Sequence, residues 1–505
     1  MRALILYFAI VSNLSYAEQY HVSINGNDMS GDGSIEKPWR TIGFALETVA
    51  AGQGHTINIS PGTFYINSAL NVQPGINIRG AGKDSTIIKG SRSFHYNPKN
   101  PGFEPGRFIL RLDGPLQSAG DQSLTDFTID GSSKKVHGGI YINGRANVRV
   151  ENVNVQYTNF CGIWILHVTN FLLRRVTLKD CAWGSEGWCS GALQFAYVDH
   201  LEIDQLHVDE GKGYGIKTLG HDSDHNMQHF KLHDSYISVD PKGLWQNGKA
   251  PNIAIEIWSN RFVESEIYNC YFDNHISIVN SDHNTAPSGK GFRIHHNLFD
   301  IQSRAEGAGY GIELTVHDVE IDHNIFKGGF SGIANWTHPK KNWSIHHNVF
   351  YGLESVYPSA VIKLHQGNMK NVNIYNNTVE LTGNTTISFL QCDNGGVSED
   401  IVIRNNLIIN SNTGYSHYPN RFVSLEKGAT IKNLVVENNL LHNLSPGDLN
   451  GIVRNNISSD PKIMQIGSRP FPYYRPALKS PLVQPGRTSA KFYTDKLPYI
   501  GAYQH

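Results

Sequence analysis

The sequence is short of cysteine, of excess charge and of long apolar stretches. Its five cysteines in 505 residues are an odd number, which leaves at least one unpaired or joined to another chain in an oxidising compartment. Cys181 and Cys189, which bracket Ala182 to Trp188, are the natural pair if a bridge forms; two buried thiols are the alternative. Lys and Arg total 43 against 44 Asp and Glu, a net charge of −1. No overall field therefore draws the chain to nucleic acid or to a membrane surface, and any polyanion must be held by a local patch. The one long apolar run, Ala3 to Val11, follows the basic Arg2 and precedes Ser15-Tyr16-Ala17. This is the pattern of a secretory signal peptide over residues 1–17, shorter than the roughly 20 apolar residues of a membrane span. No later stretch reaches that length, so an exported, soluble protein is expected, extracellular or periplasmic and monomeric. A composition break and a Pro/Ser-rich linker are also missing. The expectation is one domain over 18–505, because repeat folds lengthen along one axis without needing a second core.

Glycine numbers 49, Asn is abundant, and a self-similar unit recurs from about 119 to 457. Its clearest piece is an alternating strand ending in Asn: Ile294-His-His-Asn-Leu-Phe299, Ile321-Asp-His-Asn-Ile-Phe326, Ile345-His-His-Asn-Val-Phe350, Ile374-Tyr-Asn-Asn-Thr-Val379, Ile403-Arg-Asn-Asn-Leu-Ile408 and Val436-Glu-Asn-Asn-Leu-Leu441. A second strand, usually opened by Gly, precedes most of these: Gly139-Ile-Tyr-Ile142, Gly162-Ile-Trp-Ile165, Gly215-Ile-Lys-Thr218, Gly311-Ile-Glu-Leu314 and Gly332-Ile-Ala-Asn335. Period-2 alternation gives each strand one buried and one wet face. A repeat of twenty-odd residues holding two or three such strands predicts stacked coils, each strand pairing in parallel with its copies above and below. Repeated Asn at the turns fits, since stacked Asn side chains hydrogen-bond one another and the turn backbone. The hairpins of a β-propeller are absent. The fold expected is all-β, a right-handed parallel β-helix, with capping coils over 18–118, regular coils over 119–457 and a closing segment over 458–505.

Three N-terminal stretches, Tyr20 to Ser34, Lys37-Pro-Trp-Arg-Thr-Ile42 and Gly54 to Phe64, resemble the opening coil of the pectate-lyase-like β-helix superfamily. The tail, with Asp460-Pro-Lys462, Lys479-Ser-Pro-Leu482 and Tyr499-Ile-Gly-Ala-Tyr503, resembles its closing segment. The resemblance implies the fold and a secreted protein that acts on polysaccharide. The superfamily holds glycoside hydrolases, polysaccharide lyases and uronate epimerases, and fold alone does not choose among them. The acidic calcium cluster with neighbouring Lys and Arg of pectate or alginate lyases is not recognisable here, nor is the Tyr-Gly-Phe-Asp-Pro-His-Asp motif of alginate epimerases.

If the apolar pair of each Gly-Ile-x-Ile strand points inward, the residue between them points out. Aligned coils then form an outward ladder containing Tyr141, Trp164, Gln194, Lys217, Glu256, Ser277, Glu313, Asn335 and Lys363, extended by Trp258, Thr315 and His365. Glu256 and Glu313 would stand two rungs apart, with Cα atoms roughly 10 Å from each other, close enough for a carboxylate pair that hydrolyses glycosidic bonds. Lys217 would hold Glu256 ionised or bind an anionic sugar group, and Asp282 is a third candidate acid. Trp164, Gln194, Trp258, Asn335, Trp336, Lys363, His365 and His317 are candidate substrate contacts, because sugars stack on aromatic faces and polar groups orient them. The bland account is a solvated sheet face with favourable cross-strand Lys/Glu pairs. The histidines of the turn motif, repeating with Asn, read as structural. No His spacing suggests a metal site. Loops 221–226 and 280–284 are rich enough in oxygen to suggest Ca²⁺ but short of the six or more ligands it takes, so no cofactor is required. Hydrolysis of an acidic or sulfated polysaccharide is the leading expectation. The alternatives are β-elimination with Lys217 as base, and a non-catalytic carbohydrate-binding β-helix.

Overall fold

The computed structural model describes residues 17–95, 104–183, 191–218, 226–240, 244–245, 250–251, 253–259, 261–280, 291–302, 309–335, 339–355, 358–364, 368–381, 387–411 and 420–463. The chain winds as a right-handed parallel β-helix in which nearly every strand pairs in parallel with the strand one coil earlier and one coil later. Three strands make a turn, and their copies stack into three parallel sheets. The first sheet includes Ile255–Ser259, Ile276–Asn280, Tyr310–Thr315, Ser331–Asn335, Ser359–Leu364 and Ile387–Cys392. Ser265–Tyr268, Phe292–His295, Val319–Asp322 and Lys341–His346 belong to the second sheet. The third holds Tyr271–Phe272, Leu298–Ile301, Ile325–Gly328 and Val349–Tyr351. Coiling begins at the N-terminus, where Gln19–Val22 pairs with Thr56–Ile59 and that strand with Asn77–Gly80. A helix, Ile42–Thr48, capped by the Thr41 side chain accepting from Phe44 N–H, adds Ile42, Ala45 and Leu46 to the core of these first coils.

Inside the cylinder, alternation delivers a column of Ile216, Ile255, Ile276, Ile312, Ile333 and Ile362, in register and fully buried. β-Branched side chains suit this pleated, close-packed surface, and each such burial is worth about 1.5–3 kcal/mol. Phe272, Phe299, Phe326 and Phe350 form a second inner stack, with ring centroids 5.1, 4.8 and 4.5 Å apart.

The Asn motif has a division of labour. His296, His323, His347, Asn376, Asn405 and Asn438 take positive φ and turn the chain between the second and third sheets, a conformation that Asn and His adopt more readily than most residues. The Asn that follows points inward. Asn297, Asn324, Asn348, Asn377, Asn406, Asn439 and Asn456 form a ladder in which, from Asn324 on, each Oδ1 accepts from the backbone N–H and side-chain amide of the Asn one coil earlier, while Asn297 Oδ1 accepts from the Cys270 N–H. Each Nδ2 also donates to a strand carbonyl of the previous coil, as from Asn348 to Ile321 at 2.9 Å. The corner histidines stack outside the ladder, His296 on His323 and His323 on His347, each at 4.9 Å.

Cys161, Cys181, Cys270 and Cys392 are free and buried. The Cys181 thiol donates to the Val155 carbonyl at 3.2 Å; Cys189 lies outside the described residues, as does the C-terminal segment 464–505. Among the described residues no helix is long and apolar enough to cross a membrane.

Candidate active site

The outer face of the first sheet carries one continuous column. Register pairs run Arg111, Tyr141, Trp164, Gln194, Lys217, Glu256, Ser277, Glu313, Ala334, Lys363, Gln391. Glu256 and Glu313 thus project from one flank, separated by the single rung of Ser277. At about 4.8 Å per rung their Cα atoms are about 10 Å apart, and Ser277 between them hydrogen-bonds the Glu313 carboxyl. Trp258 sits two residues past Glu256 on the same face, half-buried, in register with Val279 and then Thr315.

The two acids have different surroundings. Lys217 Nζ is 2.6 Å from Glu256 Oε2 and 4.0 Å from the centre of the Tyr214 ring, so a cation–π contact and an ion pair fix the ammonium together. Glu313 has no cation partner within 4 Å among the described residues. It keeps a thin path to solvent while protein surrounds most of its side chain. That burial pushes its carboxyl above the usual range, a hydrogen bond from the Ser277 side chain pulls it partly back, and the charge of Glu256 pushes it up again. Opposed environments of this kind separate a proton donor from an ionised carboxylate.

Beyond Glu313 the column narrows to Ala334, fully buried against Tyr310 and Phe330. Lys363 follows, its Nζ 3.8 Å from Asp393 Oδ2 and 5.5 Å from the Phe330 ring centre. Gln391, one rung further and nearly buried, has an Oε1 with no hydrogen-bond partner. Asp393 and Gln391 went unnoticed in the sequence because Phe389-Leu-Gln-Cys392 lacks the Gly that marks the earlier strands.

Two expected contacts are corrected. Asn335 is in register with Leu314 and Leu364, both inward, and is fully buried within the coil; Ala334 holds the outward position. Gly332-Ile-Ala-Asn335 carries a polar residue where alternation normally has an apolar one, so reading outward from polarity slips by one residue. Trp164 does point outward but is fully buried in a cluster with Phe108, Tyr141, Phe160 and Leu166, stacked 5.5 Å from Phe160, and offers no open sugar platform. Gln194 and His317 are buried as well. Asp282, Trp336 and His365 lie outside the described residues, with most of the loops expected to wall the cleft.

No family model matches the sequence, and no curated protein does. Solved structures give likenesses. The A-module of a mannuronan C-5 epimerase from Azotobacter vinelandii is 14% identical with a TM-score of 0.44, over 77% of this chain and 92% of that one. A tailspike protein of an E. coli bacteriophage, in complex with a pentasaccharide, is 13% identical with a TM-score of 0.46, over 81% and 78%. A surface adhesin of Streptococcus pneumoniae is 11% identical with a TM-score of 0.38, over 77% and 83%. At these identities the likeness is one of fold.

Proposed function

We propose that this protein is a secreted glycoside hydrolase that cleaves an acidic or sulfated polysaccharide, with Glu313 as proton donor and Glu256 as the ionised partner. The reading is carried by one observation: two carboxylates share the outer column across Ser277, one paired to Lys217 at 2.6 Å and the other raised by burial and by its neighbour's charge. Glu313, protonated at working pH, gives its proton to the leaving glycosidic oxygen. Glu256, ion-paired with Lys217, activates water or attacks the anomeric carbon. Lys217 and Lys363 bracket the pair and supply positive charge toward sugar carboxylates or sulfates. No cofactor enters these steps, and Ca²⁺ is not required.

Elimination through Lys217 is the weaker reading, because an ammonium ion-paired with Glu256 at 2.6 Å has no lone pair with which to take a substrate proton. The deciding experiment incubates the secreted protein with uronic, sulfated and neutral polysaccharides and follows reducing ends and ultraviolet absorbance. Hydrolysis gives new reducing ends without an ultraviolet chromophore, in the presence of chelator, and Glu313→Gln loses roughly 10²–10⁴-fold of the rate. An unsaturated, ultraviolet-absorbing product establishes elimination instead. Binding with no new ends establishes a carbohydrate-binding β-helix.

A further inference from the structure

The corner between the first and second sheets is a second place where a ladder is interrupted. At this corner Asn147, Asn170, Asp318, Asn342, Asn371, Asp400 and Asn433 take positive φ. Neighbouring coils are tied by their side chains: Asn170 donates to Asn147 at 3.1 Å, Asn371 to Asn342 at 2.8 Å and Asn433 to Asp400 at 2.9 Å. Two successive coils depart from the pattern with His200 and His229, again at positive φ, and the next carries Glu264. The two imidazoles stack 4.0 Å apart. Both turn Nδ1 to the same atom, Asp199 Oδ1, at 2.8 Å from His200 and 3.2 Å from His229. All three donor atoms lie within 4.8 Å of one another, and Glu264 Oε2 is 3.8 Å from His229 Nε2.

We infer that Asp199, His200 and His229 form a zinc site on the flank of the solenoid. Ligand atoms at about 2.0–2.1 Å from a tetrahedral Zn²⁺ are about 3.3 Å apart, so small outward shifts of the two rings and the carboxylate admit the ion. Two imidazoles favour Zn²⁺ over Ca²⁺ or Mg²⁺, which take oxygen. Glu264 stands where a carboxylate orients a ligating histidine through its second nitrogen. All four side chains reach solvent, at 34–57% exposure, so an ion can enter and a fourth position stays open to water.

Two other His/carboxylate groups on the second sheet make the contrast. Asp204, beside His233 and Asp234, accepts Arg174 Nε at 2.7 Å. Asp322, beside Glu320 and His346, is held by Arg293 through two bonds of 2.9 Å; against the upward push of burial, a hydrogen bond from His323 and then this guanidinium keep its carboxyl well below the usual range. In both, a guanidinium already supplies the positive charge that a metal would bring. Among the described residues Asp199 has no Lys or Arg partner within 4 Å; Lys231, in the same groove, pairs with neither Asp199 nor Glu264. The site is independent of the proposed hydrolysis.

The test uses tag-free, chelator-stripped full-length protein titrated with Zn²⁺ by calorimetry, with Co²⁺ as a visible-absorption probe. The control variant combines His200→Asn and His229→Asn, which installs at both coils the residue this corner uses elsewhere and so preserves the fold, checked by circular dichroism. One Zn²⁺ per chain is expected in the native protein, lost in the double variant, and weakened roughly tenfold or more in Asp199→Asn, which keeps both rings. Absence of zinc uptake by the native chain, or undiminished uptake by the double variant, overturns the assignment.

Discussion

The inner Asn ladder and the outer column run side by side from the Ser277 coil onward, and they differ in uniformity. From Asn297 to Asn456 the ladder repeats one residue with one bonding pattern, every amide serving both neighbours. In the outer column no two neighbouring rungs are alike: Gln194, Lys217, Glu256, Ser277, Glu313, Ala334, Lys363. Both have the same backbone spacing and mostly buried members, so backbone geometry does not produce the contrast. A position serving only the stack is best filled alike in every coil, because each copy completes the next. A position serving a ligand changes along the axis with the ligand's own groups. Within a solenoid, departure from the repeat is therefore a sign of function, and the His200–His229 interruption follows the same logic.

Substitutions can test this contrast. The largest expected effect on chemistry is that of Glu313→Gln: roughly a 10²–10⁴-fold loss of reducing-end release, with the denaturation midpoint unchanged or slightly raised because a buried acid is removed. The largest effect on stability belongs to the ladder. Asn377→Ala leaves the Asn348 backbone N–H and side-chain amide without their acceptor and removes one of the two donors to Asn406 Oδ1, and should cost about 3 kcal/mol in denaturant unfolding while the folded protein keeps its turnover at 25 °C. Next comes Lys217→Gln. Without the ammonium that sits 2.6 Å from it, the Glu256 carboxylate loses its fixed position, and reducing-end release should fall roughly tenfold or more; an unchanged rate would separate Lys217 from Glu256. Smallest is Ser277→Ala. Loss of the hydrogen bond that favours ionised Glu313 raises that carboxyl further, and the alkaline limb of the rate profile should move up. Because the raised acid is needed in its protonated form, activity is lost as pH rises through the Glu313 value.

Much of this arrangement was legible in the sequence, for reasons of periodicity. Strand alternation and the recurring Gly-Ile-x-Ile and His-His-Asn units imply the solenoid, the inward Ile column and the placing of Lys217, Glu256, Ser277 and Glu313 in one outward line. What escaped depends on contacts between distant segments. Trp164 reads as an exposed platform because nothing local announces that Phe108 and Phe160 cover it. Asn335 reads as outward because polarity substituted for register. Asp199, His200 and His229 look like scattered polar residues until stacking brings two coils together, although their alignment with Asn147 and Asn170 just before each second-sheet strand was a usable signal. The pairing of Lys363 with Asp393 needs the next coil and could not be seen within one.

The stacking also restricts how such a protein can change. Glu256 and Glu313 are joined to a spine whose pitch the backbone hydrogen bonds and the Asn ladder hold constant, so lengthening or trimming a loop leaves their separation alone. Only gaining or losing an entire coil between them alters it, in jumps of about 4.8 Å. Variation in the loops can therefore alter the surroundings of the column while the two carboxylates stay at their distance, and a change in that distance is available only as a discrete event.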